Sequence, residues 1–245
     1  MTAPSEWFRE WFGDAYLSLY PHRDEDEAEA GVELFVEDGA PAEGARILDL
    51  ACGAGRHLQR LRARGFEATG MDLSAALLAE ARKRPRVRGS LVRGDMRALP
   101  FADGAFGGLV NFFTSFGYFT SRGEDLAVID EVRRVLSPGA PFIMDYLNAP
   151  WVMERLEPET VSEIQGKRVR QVRWVEDGQV FKRIEIREGD AGPEVYHERV
   201  RLYEPDDLER ILAERGLRSE ARFGGYHGEH FGDGSPRLIL RGRAT

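Results

Sequence analysis

The stretch Ile47 to His57, ILDLACGAGRH, constrains the chain more than any other, because a short apolar run empties there into a glycine-rich loop. Arg46–Ala51 reads as a buried parallel strand. His57–Arg64 reads as a helix with Leu58 and Leu61 on one face and Gly65 as its stop. Gly53 and Gly55 lie between the two. Glycine at that place lets the backbone approach a ligand that a Cβ would repel. The helix N-terminus adds unpaired N–H groups and partial positive charge. The unit is therefore built to hold a nucleotide-type ligand. Asp72 ends the next strand, 17 residues past Gly55, and an acid there can accept both hydroxyls of a ribose.

The same alternation continues. Phe66–Asp72 is a second strand, and Ser74 caps a helix that runs to Arg84 with Pro85 beyond it. Val87–Arg93 and Phe106–Phe113 are the third and fourth strands. Glu124–Leu136 is a helix closed by Ser137-Pro138-Gly139, and Pro141–Leu147 is the fifth strand. Strands alternating with helices imply an α/β fold, a parallel sheet with right-handed crossovers. The rhythm then changes. Val161 to Tyr203 holds three or four strand-like runs, with Asp177-Gly178 as a hairpin turn between Val169–Glu176 and Gln179–Arg187. This is a one-sided antiparallel sheet inserted after the fifth strand. Pro205–Gly216 returns to helix, and Leu217–Gly224 and Pro236–Arg243 are closing strands. The domain thus spans 1–160 and 205–245, and 161–204 is an insertion that serves either as substrate cover or in homodimerisation. At the other end, Ser5 to Tyr20 reads as one amphipathic helix capped by Ser5, with Trp7, Phe8, Trp11 and Phe12 at i, i+4 spacing. A second helix runs from the acidic stretch at Asp24 towards Val36.

Bulk properties narrow the function. The formal net charge is −8, which disfavours nucleic acid as partner because such binding rests on Lys and Arg neutralising phosphates. The basic run Arg82, Lys83, Arg84, Arg86, Arg88 is better explained as cations at a helix C-terminus. Cys52 is the only cysteine, so neither an intramolecular disulfide nor a multi-cysteine zinc site is available. No metal site is expected. Met1–Phe12 is too polar for a signal peptide, and no run is long enough for a membrane span, so the expected setting is cytoplasmic.

Gly53-x-Gly55 is followed at the third glycine position of the dinucleotide fingerprint by Leu58, so the fit to a nicotinamide cofactor is weak. The whole string Asp49-Leu50-Ala51-Cys52-Gly53-Ala54-Gly55 resembles instead the first motif of class I S-adenosylmethionine-dependent methyltransferases. Ala51 stands where many members carry glycine. Met71-Asp72-Leu73-Ser74 looks like the family's ribose-binding strand end, and Gly94 to Phe101 like its adenine-binding stretch. Gly107 departs from the family, which usually has an acid there. The resemblance spans about Ala45 to Leu147 and the closing strands. It implies a Rossmann-like seven-stranded mixed sheet in a three-layer sandwich, with the last strand antiparallel. It also implies the cofactor S-adenosylmethionine, the product S-adenosylhomocysteine and a small-molecule methyl acceptor.

Carried over by position, the resemblance gives Asp49 the methionine amine and brings Ala51, Gly53 and Gly55 past the methionine part and ribose. Asp72 holds the ribose, Leu73 packs on adenine, and Asp95 accepts from the adenine amino group beside the Met96 backbone. Carbonyls near Phe112 face the methionine end, and Tyr16 and Tyr20 are candidates for a lid. A non-catalytic S-adenosylmethionine-binding protein, a nicotinamide-dependent oxidoreductase and an RNA methyltransferase are the competing readings. No catalytic residue is assigned. Tyr118, within the aromatic cluster Phe112, Phe113, Phe116, Tyr118, Phe119, and His227 and His230, in a glycine-rich loop, are the candidates. Cys52 reads as a small residue in a tight loop, not as a nucleophile.

Overall fold

A computed structural model describes residues 3–20, 25–37, 41–42, 44–189 and 192–245. Asp24, where the acidic stretch was expected to begin, lies outside them. Eleven strands and eight helices follow one another among the described residues. Helices α1 (Trp7–Trp11), α2 (Asp14–Leu19) and α3 (Glu25–Val36) precede strand β1 (Arg46–Leu50), α4 (Arg56–Ala63), β2 (Glu67–Asp72), α5 (Ala75–Ala81) and β3 (Leu91–Arg93). Then come β4 (Gly108–Asn111), α6 (Arg122–Val135), β5 (Pro141–Leu147) and α7 (Ala149–Arg155). The insertion is β6 (Glu159–Ile164), β7 (Lys167–Glu176), β8 (Gln179–Arg187) and β9 (Glu194–Arg201). Helix α8 (Pro205–Glu214), β10 (Leu217–Phe223) and β11 (Arg237–Ala244) close the chain.

The main sheet has seven strands in the order β10-β11-β5-β4-β1-β2-β3. The β1–β5 neighbours pair parallel, and β11 runs antiparallel to both β5 and β10. This is the expected Rossmann-like mixed sheet. Side chains alternate along each strand, so the sheet feeds two cores. Leu48, Leu50, Leu109, Phe142, Met144, Leu238 and Leu240 pack towards α6 and α8. Ile47, Val110, Ile143 and Ile239 pack towards α3 and α4. That is the three-layer sandwich. The four inserted strands form a second sheet in simple antiparallel order, and its register closes at Glu176↔Gln179 around the Asp177-Gly178 turn. Both turn residues have positive φ (49° and 67°), as a two-residue hairpin with native twist requires.

Four expectations need correction. The N-terminal segment is two short helices, not one, and turns at Phe12-Gly13 so that Trp11 and Tyr16 meet edge to face at 5.5 Å. Ser5 does not cap it; Glu6 holds that position without a side-chain cap bond. The third strand starts at Leu91, not Val87, because Arg86 and Gly89 take positive φ and turn the chain just before it. The fourth strand stops at Asn111, since Phe113 and Thr114 are left-handed (φ 61° and 51°). Helix α7 was not foreseen. Pro150 sits in its first turn, where its missing N–H costs nothing.

Candidate active site

A cavity of about 1560 Å³ opens at the C-terminal ends of β1, β2 and β4. Its volume exceeds the ~300–1,000 Å³ of ordinary ligand pockets. There is room for two molecules side by side. The glycine loop forms its floor. Ala51, Gly53 and Gly55 are all left-handed (φ 58°, 52° and 74°), which turns the chain sharply from β1 into α4. The loop is packed from behind as well. A Cβ on Gly70 of β2 would lie 2.6 Å from Leu58 and 2.8 Å from the Cys52 sulfur. Burial, then Asp49, push the Cys52 thiol well above its ordinary range. It therefore stays protonated, which fits the packing role and not a nucleophile.

Two acids flank the loop. Asp72 ties it down: Oδ2 accepts from the Gly53 N–H at 2.8 Å and Oδ1 from the Ser74 N–H at 2.8 Å. Burial pushes this carboxyl up, while those N–H groups pull it back. Ser74 in turn caps α5 by accepting from the Leu77 N–H at 3.1 Å, and its hydroxyl donates to the Phe12 carbonyl at the α1–α2 turn. Asp49, at the end of β1, is 1% exposed. Its Oδ2 is buried and has no hydrogen-bond partner among the described residues. Burial first, and then the Asp72 charge, raise its carboxyl to about 8. A cationic amine would satisfy that oxygen, and the site therefore fits the cofactor that the sequence implies.

The Asp49 shift has a measurable consequence. The folded protein holds a proton that the unfolded chain, with its value near 3.8, has already released. Stability is thus present in full below about pH 4 and is lost progressively as pH rises to about 8. Asp49→Asn should flatten this fall. Melting temperatures followed from pH 5 to pH 8 are expected to show the variant gaining several degrees on the cofactor-free wild type. Parallel curves would mean that Asp49 is ionised in the empty site.

Every other residue assigned from the sequence can now be placed. Tyr20, Leu73, Asp95, Met96, Phe112 and Tyr118 line the cavity with Asp49, Ala51, Gly53 and Asp72; Gly55 does not line it. The Asp95 carboxylate is already gripped by Arg97, through Nε at 3.0 Å and Nη2 at 2.7 Å. Burial raises this carboxyl, but Arg97 outweighs burial and leaves it below the ordinary range. Of the aromatic cluster, Phe112, Phe113, Tyr118 and Phe119 line the cavity, whereas Phe116 is core and stacks on Tyr203 at 5.8 Å. His57 also lines the cavity and stacks on Phe112 at 4.3 Å. His227 and His230 do not line it. They are exposed on the loop between β10 and β11, whereas their neighbour Tyr226 is buried. Among the described residues no cluster of three His, Cys, Asp or Glu side chains is placed to hold a metal.

The roof and outer wall come from segments without motifs. Trp7, Phe8, Phe12, Tyr16 and Tyr20 of the N-terminal helices cover the cavity. They are latched to the insertion by the Trp11 indole N–H, which donates to Glu198 on β9 at 2.7 Å, and by the Trp11–Tyr196 ring contact at 5.1 Å. Helix α7 contributes Trp151 and Arg155, and the inserted sheet contributes Arg173, Lys182 and Glu198. Sequence reasoning offered Tyr16 and Tyr20 as a lid, and both line the cavity; it named none of Trp151, Arg155, Arg173, Lys182 and Glu198.

Comparison with known proteins agrees with this geometry. The model of the methyltransferase domain family matches residues 47–139, from β1 to the turn before β5. The dTDP-3-amino-3,6-dideoxy-alpha-D-glucopyranose N,N-dimethyltransferase of Streptomyces fradiae is 30% identical over 203 residues, 78% of this chain and 77% of that protein. The dTDP-3-amino-3,4,6-trideoxy-alpha-D-glucopyranose N,N-dimethyltransferase of Streptomyces venezuelae is 28% identical and covers 91% of this chain and 97% of its own length. The chain spans about half the length of other curated methyltransferases that it matches. In fold, it superposes on an S-adenosylmethionine-dependent methyltransferase from Clostridium acetobutylicum ATCC 824 with a TM-score of 0.80 at 19% identity, covering 94% of this chain and 96% of that one. No helix among the described residues is long and apolar enough to cross a membrane. By sequence, fold and cavity, the chain belongs to the family of class I S-adenosylmethionine-dependent methyltransferases.

Proposed function

We propose that this methyltransferase N-methylates an amino group of a small polar metabolite and releases S-adenosylhomocysteine. The observation that carries the reading is the size of the cavity and its aromatic cover. It has room for cofactor and acceptor together under one aromatic roof. The cofactor supplies an electrophilic methyl group when bound. The chain's own part is to hold and orient. Asp49 would take the methionine ammonium, Asp72 the ribose hydroxyls, Leu73 and Met96 the faces of the adenine, and Asp95 its amino group. The rings of Phe12, Tyr16 and Tyr118 line the space beyond, and aromatic faces suit a cationic centre. Holding the acceptor nitrogen in line can contribute roughly 7–11 kcal/mol. A neutral amine brings its own lone pair, so no fixed base is required. That agrees with a cavity that neither His227 nor His230 lines.

Support for an amine acceptor comes from two relatives that align along most of the chain, both named as N,N-dimethyltransferases. The acidic balance of −8 supports a small acceptor over a nucleic acid, and the single reduced cysteine suits a cytoplasmic setting. The test is product analysis by mass spectrometry, with a panel of amino sugars, simple amines, phenols and carbon acids. N-methylated products accompanied by equal S-adenosylhomocysteine are expected. Products methylated only on oxygen or carbon would overturn the amine reading. Cofactor binding without turnover on any class would favour a non-catalytic binding protein.

A further inference from the structure

The inserted sheet turns one rung of charged side chains into the cavity. Arg173 on β7 pairs with Lys182 on β8, and Lys182 with Glu198 on β9. All three line the cavity, with Val180 and Val200 on the next rung. Two cations directly opposite each other on adjacent strands are destabilising, and only one of them is neutralised within the protein. Lys182 forms an ion pair with Glu198, whose other oxygen is held by the Trp11 indole. Arg173 has no carboxylate at ion-pair distance among the described residues. Its guanidinium is oriented by neutral acceptors alone: Nη1 donates to Thr160 Oγ1 at 3.1 Å and to the Glu157 carbonyl at 3.4 Å, and Nη2 to Gln171 Oε1 at 2.5 Å. These contacts aim the group without cancelling its charge.

The placement of charge in the cavity gives this rung a meaning. The carboxylates Asp49, Asp72 and Asp95 come from the ends of β1 and β2 and the turn after β3, where the cationic cofactor would sit. Of the lining cations, Arg56 opens α4 and Arg84 follows α5, while Arg155, Arg173 and Lys182 come from α7 and the insertion, beside Glu157 and a Glu198 already held by Lys182 and Trp11. We propose that the insertion binds an anionic group of the methyl acceptor, a phosphate or a carboxylate, through Arg173 with Lys182 beside it. A planar guanidinium presents two parallel donors to such a group. Anchored there, the acceptor extends inward between the roof and the glycine loop and brings its amine to the aromatic part of the cavity. The inserted sheet is then a specificity element as well as a cover. The inference rests on the acceptor occupying this cavity, as in the function proposed above.

The test uses the full chain saturated with S-adenosylhomocysteine, titrated calorimetrically with inorganic pyrophosphate and, separately, with malonate. Cofactor-product binding is measured first on each protein, so failure of the cofactor assignment is seen independently and folding of each variant is verified. Pyrophosphate or malonate is expected to bind the wild type, and Arg173→Gln to weaken that binding about tenfold or more. Arg173→Lys should lose less, because charge remains while the fork is lost. Preference for pyrophosphate assigns the subsite to phosphate, and preference for malonate to carboxylate. No binding of either anion to the wild type, or equal binding to wild type and Arg173→Gln, overturns the proposal. Should Arg173→Gln lose S-adenosylhomocysteine binding, the decision passes to Arg173→Lys and Lys182→Met under the same criteria.

Discussion

Asp72→Ala is expected to weaken S-adenosylmethionine binding at least about 100-fold. The carboxylate does two jobs at once. It holds the Gly53 and Ser74 N–H groups, each at 2.8 Å, and it faces the cavity where ribose hydroxyls would arrive. Hydrogen bonds to a charged group are worth about 1.5–3 kcal/mol each, and each 1.4 kcal/mol is roughly a factor of ten in affinity. Losing two such bonds to ligand accounts for the expected effect before any loosening of the loop is counted. Loosening would add to this, because Asp72 tethers Gly53, the middle one of three left-handed residues in the loop. Asp72→Asn keeps one acceptor oxygen and should fall between. Overall stability should change little, because removal of a buried carboxyl beside Asp49 offsets the two N–H groups left unpaired. Calorimetric titration measures affinity, and a thermal melt checks the fold. Binding by Asp72→Ala within threefold of the wild type would remove Asp72 from the cofactor site.

This residue was legible in the sequence because its place follows from local order: strand, glycine loop, helix, strand, acid. The same holds for Gly53 and for Ser74, whose cap bond to Leu77 forms as its position suggested, whereas Asp49, Ala51 and Leu73 were marked only by the resemblance and line the cavity with them. Even the anion rung was within reach. A two-residue turn at Asp177-Gly178 fixes the hairpin register, and counting four residues back and four forward sets Arg173 opposite Lys182. What sequence cannot give is which way a mixed loop turns. His227 and Tyr226 are neighbours, yet Tyr226 is 6% exposed while His227 faces solvent. That choice is made by tertiary partners far away in the chain. The break at Phe12-Gly13 has the same origin. A continuous amphipathic helix would satisfy the i, i+4 pattern, but the turn brings Trp11 onto Glu198, 187 residues later, and lets Phe12 accept from Ser74.

The buried partners of Tyr226 carry the second large effect. Asp145, near the end of β5, is fully buried. Its Oδ2 accepts from the Phe113 N–H at 2.7 Å, from the Tyr226 hydroxyl at 2.5 Å and from Arg237 Nη1 at 2.9 Å. Its backbone carbonyl accepts from the Thr114 N–H at 3.1 Å. Arg237 reaches on to Glu27 of α3 at 2.8 Å and lies over the rings of Tyr226 and Phe113, 4.8 and 5.1 Å from their centroids. This cluster holds Phe113 and Thr114 in the left-handed conformation that ends β4 beside the cavity.

Arg237→Ala leaves the Asp145 charge buried without its cation. Removing one partner of a buried pair costs about 3–5 kcal/mol. At roughly 2–4 °C per kcal/mol for a chain of this size, the melting temperature should fall by roughly 6–20 °C. The loss has a pH signature. Burial already pushes the Asp145 carboxyl up, and Arg237 is the main influence holding it down. Without that cation the folded protein retains the proton to higher pH than the unfolded chain does, so the variant's deficit should be smallest in acid and widen as pH rises. Asp145→Asn in the Arg237→Ala background removes the stranded charge and keeps an acceptor for the Phe113 N–H. It should therefore recover part of the loss. The recovered double variant separates stability from function: if the guanidinium also fixes the post-β4 loop, turnover stays depressed at a temperature where the protein is folded. Thermal melts at pH 5 and pH 8, paired with kcat on the double variant, decide it. A deficit independent of pH, unrelieved by Asp145→Asn, would mean that lost ring packing over Phe113 and Tyr226, not a stranded carboxylate, is what Arg237 prevents.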